Sequence, residues 1–308
     1  MTPTPDAPGL PGAAALVSVV IPTWNSAATL PRAIDSVLAQ TWPHCELIVV
    51  DDGGSDDTPA LLAGYGARLR ALRQANAGPA AARNHGLREA RGDYVAFLDA
   101  DDYWLPEKLE CQVALLGARP EIGFCSTATR VVDARGEPVR AWPCHKATAP
   151  LLETLFMHSA AVSGSTSGVL ARRELLLAAD GFDARLRGFE DPDLWIRLAA
   201  RADYVCIPEA LTVVTRMPNS VSGNLDGMCA ATLASFAKNR GLLPVDKQGS
   251  YWRAACAGAL ADYAKGAYRA GRRRQALIWL LRGLRLSPLR RGRLLLGLLL
   301  AMFAGEQL

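Results

Sequence analysis

Apolar runs and amphipathic segments alternate along the first third of the chain. "LVSVVIP" (16–22), "CELIVVDD" (45–52) and "DYVAFLDADD" (93–102) are β-branched or aromatic runs that stop in polar clusters. Each predicts a strand buried on both faces. Between them lie segments of helical spacing. "TLPRAIDSVLAQ" (29–40) places Leu30, Ile34, Val37 and Leu38 on one face, and Thr58-Pro59 opens a second helix. "GPAAARNHGLREARG" (78–92) predicts a third, ended by Gly92, and "LPEKLECQVALLGARP" (105–120) a fourth. "LRALRQ" (69–74) predicts a short strand. Strand–helix alternation of this kind predicts a parallel, doubly wound α/β sheet, with ligands beyond the carboxyl ends of its strands. "PTWN", "DDGGSDD" and "DADD" stand at three such ends and are expected to line one crevice.

The pattern then changes. Residues 121–147 predict irregular strands, "DPDLWIRLAARAD" (191–203) a helix with Pro192 at its first position, and "YVCIPEALTVVTR" (204–216) a strand. From Leu225 the pattern is helical, and 259–288 predicts a helical hairpin. The expected organisation is a disordered Pro-rich leader (1–15), an α/β domain (16–224) and a basic helical region (225–308).

The 308 residues are half hydrophobic with a net charge of +4, which excludes global disorder. Seven scattered cysteines without a CxxC argue against a disulfide framework or a zinc ribbon and predict a reducing compartment. The leader lacks the basic and apolar regions of a signal peptide, and no apolar stretch reaches the ~18 residues of a membrane span. A cytoplasmic protein is expected.

"FLDADD" (97–102) puts three carboxylates where a strand ends. A calcium loop starting at Asp99 fails because Trp104 occupies the place of its glycine. A cap formed by Asp102 explains one acid. A divalent cation brought by a phosphate ligand explains all three, because Mg²⁺ or Mn²⁺ takes oxygen ligands and keeps open positions for a diphosphate. "VVDDGG" also suits a phospho-acceptor receiver module, but the lysine this requires is missing. Asp191, before Pro192, is a good helix N-cap and equally a carboxylate held rigidly in a cleft. Trp24 reads as a core residue or turn anchor, or as a platform for a flat base.

Between Tyr263 and Gly305 there are ten basic residues and no acid, and "LLLGLLLAMFAG" (294–305) is too short to span. The segment is Leu-rich, and nucleic-acid binding is not expected. An interfacial membrane helix and a helix packing its Leu face on the domain both remain open.

Taken together, "VSVVIPTWNSAATLPRAIDSVLAQT", "ELIVVDDGGSDDT", "NAGPAAARNHGLREARGDYVAFLDADDYWLPEKL" and "DGFDARLRGFEDPDLWIRLA" resemble glycosyltransferase family 2, across most of residues 17–200. The resemblance implies the GT-A fold, a Rossmann-like, mostly parallel sheet, here with a C-terminal helical extension. It implies an inverting, metal-dependent enzyme moving one sugar from a nucleotide-diphosphate donor, UDP-linked, to a glycan or lipid-linked acceptor in cell-surface polysaccharide or lipopolysaccharide synthesis. Such an enzyme would work in the cytoplasm, at the inner face of the membrane. By position, Pro22 and Trp24 would flank the base and Asp52 hydrogen-bond it. Arg83 would help hold the nucleotide, and Asp99 would lie toward the ribose. Asp101 would ligate Mn²⁺ or Mg²⁺, with Asp102 an alternative ligand, and Asp191 would be the catalytic base. Met217 stands where many relatives have a His, and Trp24 where Tyr is commoner. The Gln-x-x-Arg-Trp motif of processive synthases is absent. A nucleotide-sugar-binding protein without turnover is the alternative reading.

Overall fold

The computed structural model describes residues 15–146, 149–216 and 224–304. The expected leader, apart from Ala15, and Met217 lie outside the described residues. The three apolar runs form β1 (Val17–Thr23), β2 (Cys45–Asp51) and β4 (Tyr94–Phe97), and β3 is Arg70–Arg73. All four are parallel, in the order β3-β2-β1-β4. Alternate side chains serve two cores. Val17, Val19 and Ile21 pack with Leu30, Ile34 and Val37 of α1 (Leu30–Leu38), while Val20 packs with Leu87 of α3 (Pro79–Glu89) and Phe97. Gly86 brings α3 against β1, since a Cβ there would lie 2.3 Å from Val20 Cγ1.

Beyond β4 the sheet is mixed. β8 (Leu170–Arg172) is antiparallel to β4 and to β6 (Ile122–Asp133), and β9 (Asp203–Arg216) lies parallel to β6. β5 (Tyr103–Trp104) is antiparallel to β9, and β7 (Pro138–Trp142) to β6. Among the described residues this makes nine strands in one sheet, with most strands running one way. A receiver module, by contrast, has a small parallel sheet. The sheet is completed by α2 (Thr58–Tyr65), α4 (Lys108–Ala118), α5 (Leu151–Met157), α6 (Arg173–Ala178) and α7 (Glu190–Ala199).

Three local expectations change. α3 ends at Glu89 because Ala90 is extended. Gly92 lies beyond it, against β1, where a Cβ would meet the Leu16 carbonyl oxygen at 2.6 Å. α7 begins two residues early, so Phe189 takes the cap position and Asp191 lies inside the first turn. Finally, Cys144 and Cys206 form a disulfide. Their separation of 62 residues gave no signal; the end of β7 and the start of β9 bring them together only in the folded sheet.

The C-terminal helices are α8 (Leu225–Lys238), α9 (Ser250–Arg269), α10 (Arg273–Leu286) and α11 (Gly292–Ala304). An alanine face on α9 (Ala257, Ala261, Ala264 and Ala267) packs with Trp279 and Leu280 of α10 and with Leu295 and Leu299 of α11. Gly271, at φ 75°, stops α9, and the Arg272 amide donates back to the Ala267 carbonyl at 2.8 Å, a glycine C-cap. Thus α11 packs its Leu face, while Leu294, Leu296 and Leu300 stay exposed on its other side. Among the described residues no helix is long and apolar enough to cross a membrane.

Candidate active site

The first part of the site is a cavity of about 280 Å³ beyond β1 and β2, lined by Pro22, Thr23, Trp24, Asp52, Asn76, Gly78, Pro79 and Ala82. Trp24 is 56% exposed, so it is no core residue. Its loop is held in place from β2's side: Ser55 N donates to Asn25 Oδ1 at 2.7 Å and Ala27 N to Asp56 Oδ2 at 2.9 Å. Asn25 adopts φ 50°, a conformation Asn tolerates. Asp52 accepts from Gln74 Nε2 (2.8 Å), Ala77 N (2.9 Å) and Gly78 N (2.8 Å). Its carboxylate is therefore fixed at the cavity wall. Pro22, Trp24 and Asp52, singled out in the sequence, thus share one cavity.

The second part is the loop after β4. Asp99 Oδ1 lies 2.6 Å from Arg83 Nη2. Asp101 is half-buried, and burial followed by the Asp99 charge pushes its carboxyl up to about 6. Arg32 Nη2 donates to the Asp101 carbonyl at 2.7 Å and to Thr215 Oγ1 at 2.8 Å, pinning the loop to β9. Asp102 turns inward. Its Oδ1 accepts from Thr215 N (2.8 Å) and its Oδ2 from Ser167 Oγ (2.5 Å), and it is buried. Burial, then the charges of Asp99 and Asp101, hold it well above the usual carboxylate range. Asp102 is therefore not the cap of the following helix, whose cap position is Glu107.

The third part is the start of α7. Asp191 does not cap its helix through its side chain. Its Oδ2 accepts from Ser165 Oγ and Thr166 Oγ1, both at 2.6 Å, and its Oδ1 lies 3.4 Å from Arg83 Nη1. Glu190 Oε1 is 3.7 Å from the same nitrogen, and burial, then the Asp191 charge, raises the Glu190 carboxyl.

Arg83 joins these parts. It is buried and lies over the Phe182 ring at 5.4 Å. Burial alone would lower its pKa, but Asp99, Asp191 and Glu190 outweigh that and raise it. Its Nε has no acceptor among the described residues. Arg83, which the resemblance puts at the nucleotide, lies here between Asp99 and Asp191.

Sequence reasoning gave no role to Ser165, Thr166, Ser167, Thr215 or Arg32. The signal available for the first three was "SGSTSG" (163–168), a small polar run that reads as an ordinary loop.

Residues 18–173, just over half of the chain, match the sequence profile described as glycosyl transferase family 2. An uncharacterized glycosyltransferase of Rickettsia felis is 30% identical over 200 residues, 64% of this chain and 32% of that protein. A UDP-Glc:alpha-D-GlcNAc-diphosphoundecaprenol beta-1,3-glucosyltransferase of Escherichia coli, WfgD, is 41% identical over 103 residues, 33% of this chain and 41% of its own. The chain thus spans well under two thirds of these curated relatives. Among solved structures, the mannosyltransferase PcManGT of Pyrobaculum calidifontis, in complex with GDP-Man and Mn²⁺, superposes with a TM-score of 0.62 at 21% identity, covering 95% of this chain and 82% of that one. The mixed sheet with its flanking helices is the GT-A fold. The chain belongs to glycosyl transferase family 2.

Proposed function

We propose that the protein moves one hexose from a nucleotide-diphosphate sugar, UDP-linked, to a hydroxyl of a glycan or lipid-linked acceptor, with inversion, in cell-surface polysaccharide or lipopolysaccharide synthesis. The observation that carries this reading is Arg83 holding Asp99 on one nitrogen and Asp191 on the other. One short bridge sets a donor-side acid against a carboxylate suited to be a base. The names of relatives support a nucleotide-sugar donor: WfgD is named for UDP-Glc and an alpha-D-GlcNAc-diphosphoundecaprenol acceptor, and PcManGT is in complex with GDP-Man and Mn²⁺.

In this reading the base stacks on Trp24 in the cavity beyond β1, between Pro22 and Asp52. Asp99 faces the ribose. The free Nε of Arg83 supplies a further donor hydrogen for the nucleotide sugar. Asp191 takes the proton of the attacking hydroxyl on the side opposite the leaving diphosphate. A single displacement by one base, without an enzyme nucleophile, inverts the anomeric centre.

Asp99 and Asp101 also fit a divalent cation. Among the described residues no three acidic, His or Cys side chains form a metal site. Two carboxyls in one loop, the second raised by burial and by the first, suit Mg²⁺ or Mn²⁺ shared with a diphosphate. Asp101 would hold the ion, which supplies charge stabilisation for the leaving phosphate.

Peripheral attachment to an anionic membrane surface is part of the same reading. Arg274, Ile278, Leu281 and Arg285 are exposed at helical spacing on α10, and Leu289, Arg290, Arg293, Leu296 and Leu300 are exposed on or just before α11. Basic residues beside exposed leucines suit the interface of an anionic bilayer.

The test is a panel of UDP-, GDP- and dTDP-sugars with Mn²⁺, read first by thermal shift and then by proton NMR of the product anomer. Stabilisation by a UDP-sugar and a product of inverted configuration are expected. No stabilisation by any member of the panel, or a product of retained configuration, would overturn the proposal.

A further inference from the structure

Three consecutive hydroxyl residues, Ser165, Thr166 and Ser167, lie between α5 and β8 and touch both halves of the site. Ser165 and Thr166 both donate to Asp191 Oδ2. Ser167 Oγ donates to Asp102 Oδ2 and accepts from Asp99 N at 3.1 Å, and its carbonyl accepts from Trp104 Nε1 at 2.7 Å. The run has little room to shift. Ser165 is held in the left-handed region at φ 51°. A Cβ on the preceding Gly164 would lie 2.7 Å from Thr129 Oγ1 and 2.8 Å from Gly168 Cα. Strained backbone of this kind persists only where its surroundings over-determine it.

We propose that Ser165, Thr166 and Ser167 are positioning residues, a strut that fixes the Asp191 carboxylate relative to the Asp99–Asp102 loop. The inference rests on Asp191 acting as the base. A carboxylate oxygen has two lone pairs. Two hydroxyl donors on Oδ2 occupy both, so the proton of the acceptor hydroxyl goes to Oδ1. The acceptor oxygen then bonds to the anomeric carbon as its bond to the diphosphate breaks, and the diphosphate leaves with the electron pair. The charged groups facing Asp191 are Arg83 from α3 and Glu190 from its own helix, with Asp99 behind Arg83. The strut and Arg83 together fix the angle at which Oδ1 is presented. Misplacement of a reacting group by about 1 Å costs roughly a hundredfold in rate.

The test uses the full chain with Ser165→Ala, Thr166→Val, their double variant, Thr166→Ser and Ser167→Ala, each checked for folding by its melting temperature. Kinetics use whichever sugar nucleotide of the panel the wild type turns over. The double variant is expected to lose about tenfold to a hundredfold in kcat with donor KM unchanged. Thr166→Ser should retain the wild-type rate where Thr166→Val does not, and Ser167→Ala should instead raise donor KM. Crystal structures give a second readout that needs no turnover. In Thr166→Val, and further in the double variant, the Asp191 carboxylate should rotate toward Arg83 and shorten the 3.4 Å contact. An unmoved carboxylate in those crystals, or equal rates for Thr166→Val and Thr166→Ser, would overturn the strut. A wild type that turns over no donor would count against the proposed function, while the crystallographic comparison still decides the inference.

Discussion

The Ser235 hydroxyl, on α8, donates to the Asp193 carboxylate on α7 at 2.8 Å. Asp193 is fully buried and also accepts from Asn239 Nδ2 and Lys238 Nζ of the α8 end, both at 2.8 Å, and from Arg197 Nε at 3.0 Å. The C-terminal helices therefore grip the helix that carries Asp191, two residues away. Removing one member of a buried charged network leaves its partners uncompensated, at about 3–5 kcal/mol. Asp193→Ala should lower unfolding stability by roughly that amount in urea titrations. A loss below about 1 kcal/mol would show that the α7–α8 contact does not depend on this anchor.

Asp191→Asn should keep the fold and nucleotide binding and lose roughly 10²–10⁴ in transfer rate, the usual range for a general base. Because Asp191 does not cap α7, no cap is lost, and the amide oxygen still accepts from the Ser165 and Thr166 hydroxyls. Transfer at the wild-type rate would remove Asp191 from the chemistry.

Asp101→Asn should abolish Mn²⁺-dependent affinity for UDP, measured by isothermal titration, without lowering the melting temperature of the free protein. The half-buried acid next to Asp99 is destabilised as an anion, and replacing it with an amide relieves that. Unchanged Mn²⁺-dependent binding would reassign the ion.

Lys108 is fully buried, bonded to Gln112 Oε1 at 2.7 Å and lying over the Trp104 ring at 3.9 Å. Burial lowers its pKa from an ordinary 10.5 to about 7. The unfolded chain then binds the extra proton between these values. Stability should rise with pH across that window, by up to about 1.4 kcal/mol per unit, and the contribution is lost as pH falls toward 7. Lys108→Met should remove this slope, so the difference between variant and wild type, followed from pH 7 to 9, isolates the lysine. Parallel curves for the two proteins would refute the neutral buried lysine.

The face formed by α10 and α11 should carry the protein to acidic vesicles. Each basic residue near such a surface contributes about 1 kcal/mol. Charge reversal at Arg290 and Arg293 should therefore weaken co-sedimentation with phosphatidylserine vesicles at low salt. Leu289→Ser with Leu300→Ser should remove the part of binding that survives 1 M salt, where screening acts within about 3 Å. Full-length protein left in the supernatant at low salt would rule out this surface.

What the sequence made legible follows from where the information lies. Apolar runs ending in "PTWN", "DDGGSDD" and "DADD" encode both a strand and the polar cluster that ends it, so β1, β2, β4 and the residues beyond them could be read locally. Asp191 could be found by resemblance, but its surroundings could not. Ser165 and Thr166 lie some 25 residues earlier, in a run that is chemically ordinary until the fold sets it against α7. Asp102 shows the same limit. Three adjacent acids look alike in a string, and only the turn after β4 decides that one of them faces inward, to Ser167 and Thr215. Arg83 was singled out by resemblance, but not as a buried bridge, because its partners come from α7 and the end of β4.

The Cys144–Cys206 bridge encloses α5, the hydroxyl run, β8 and all of α7 within one covalent ring. Closing a ring of 62 residues removes chain entropy from the denatured ensemble worth about 4 kcal/mol in the loop-closure description. That restriction falls on the segment supplying Asp191 and its hydroxyl partners, whereas β1 to β4 and the cavity beside Trp24 lie outside the ring. A thiol reductant would thus lower the cost of opening the Asp191 side of the site while leaving the Trp24 side as it was. The two halves of the candidate site would then differ in how firmly they are held according to the oxidation state of Cys144 and Cys206.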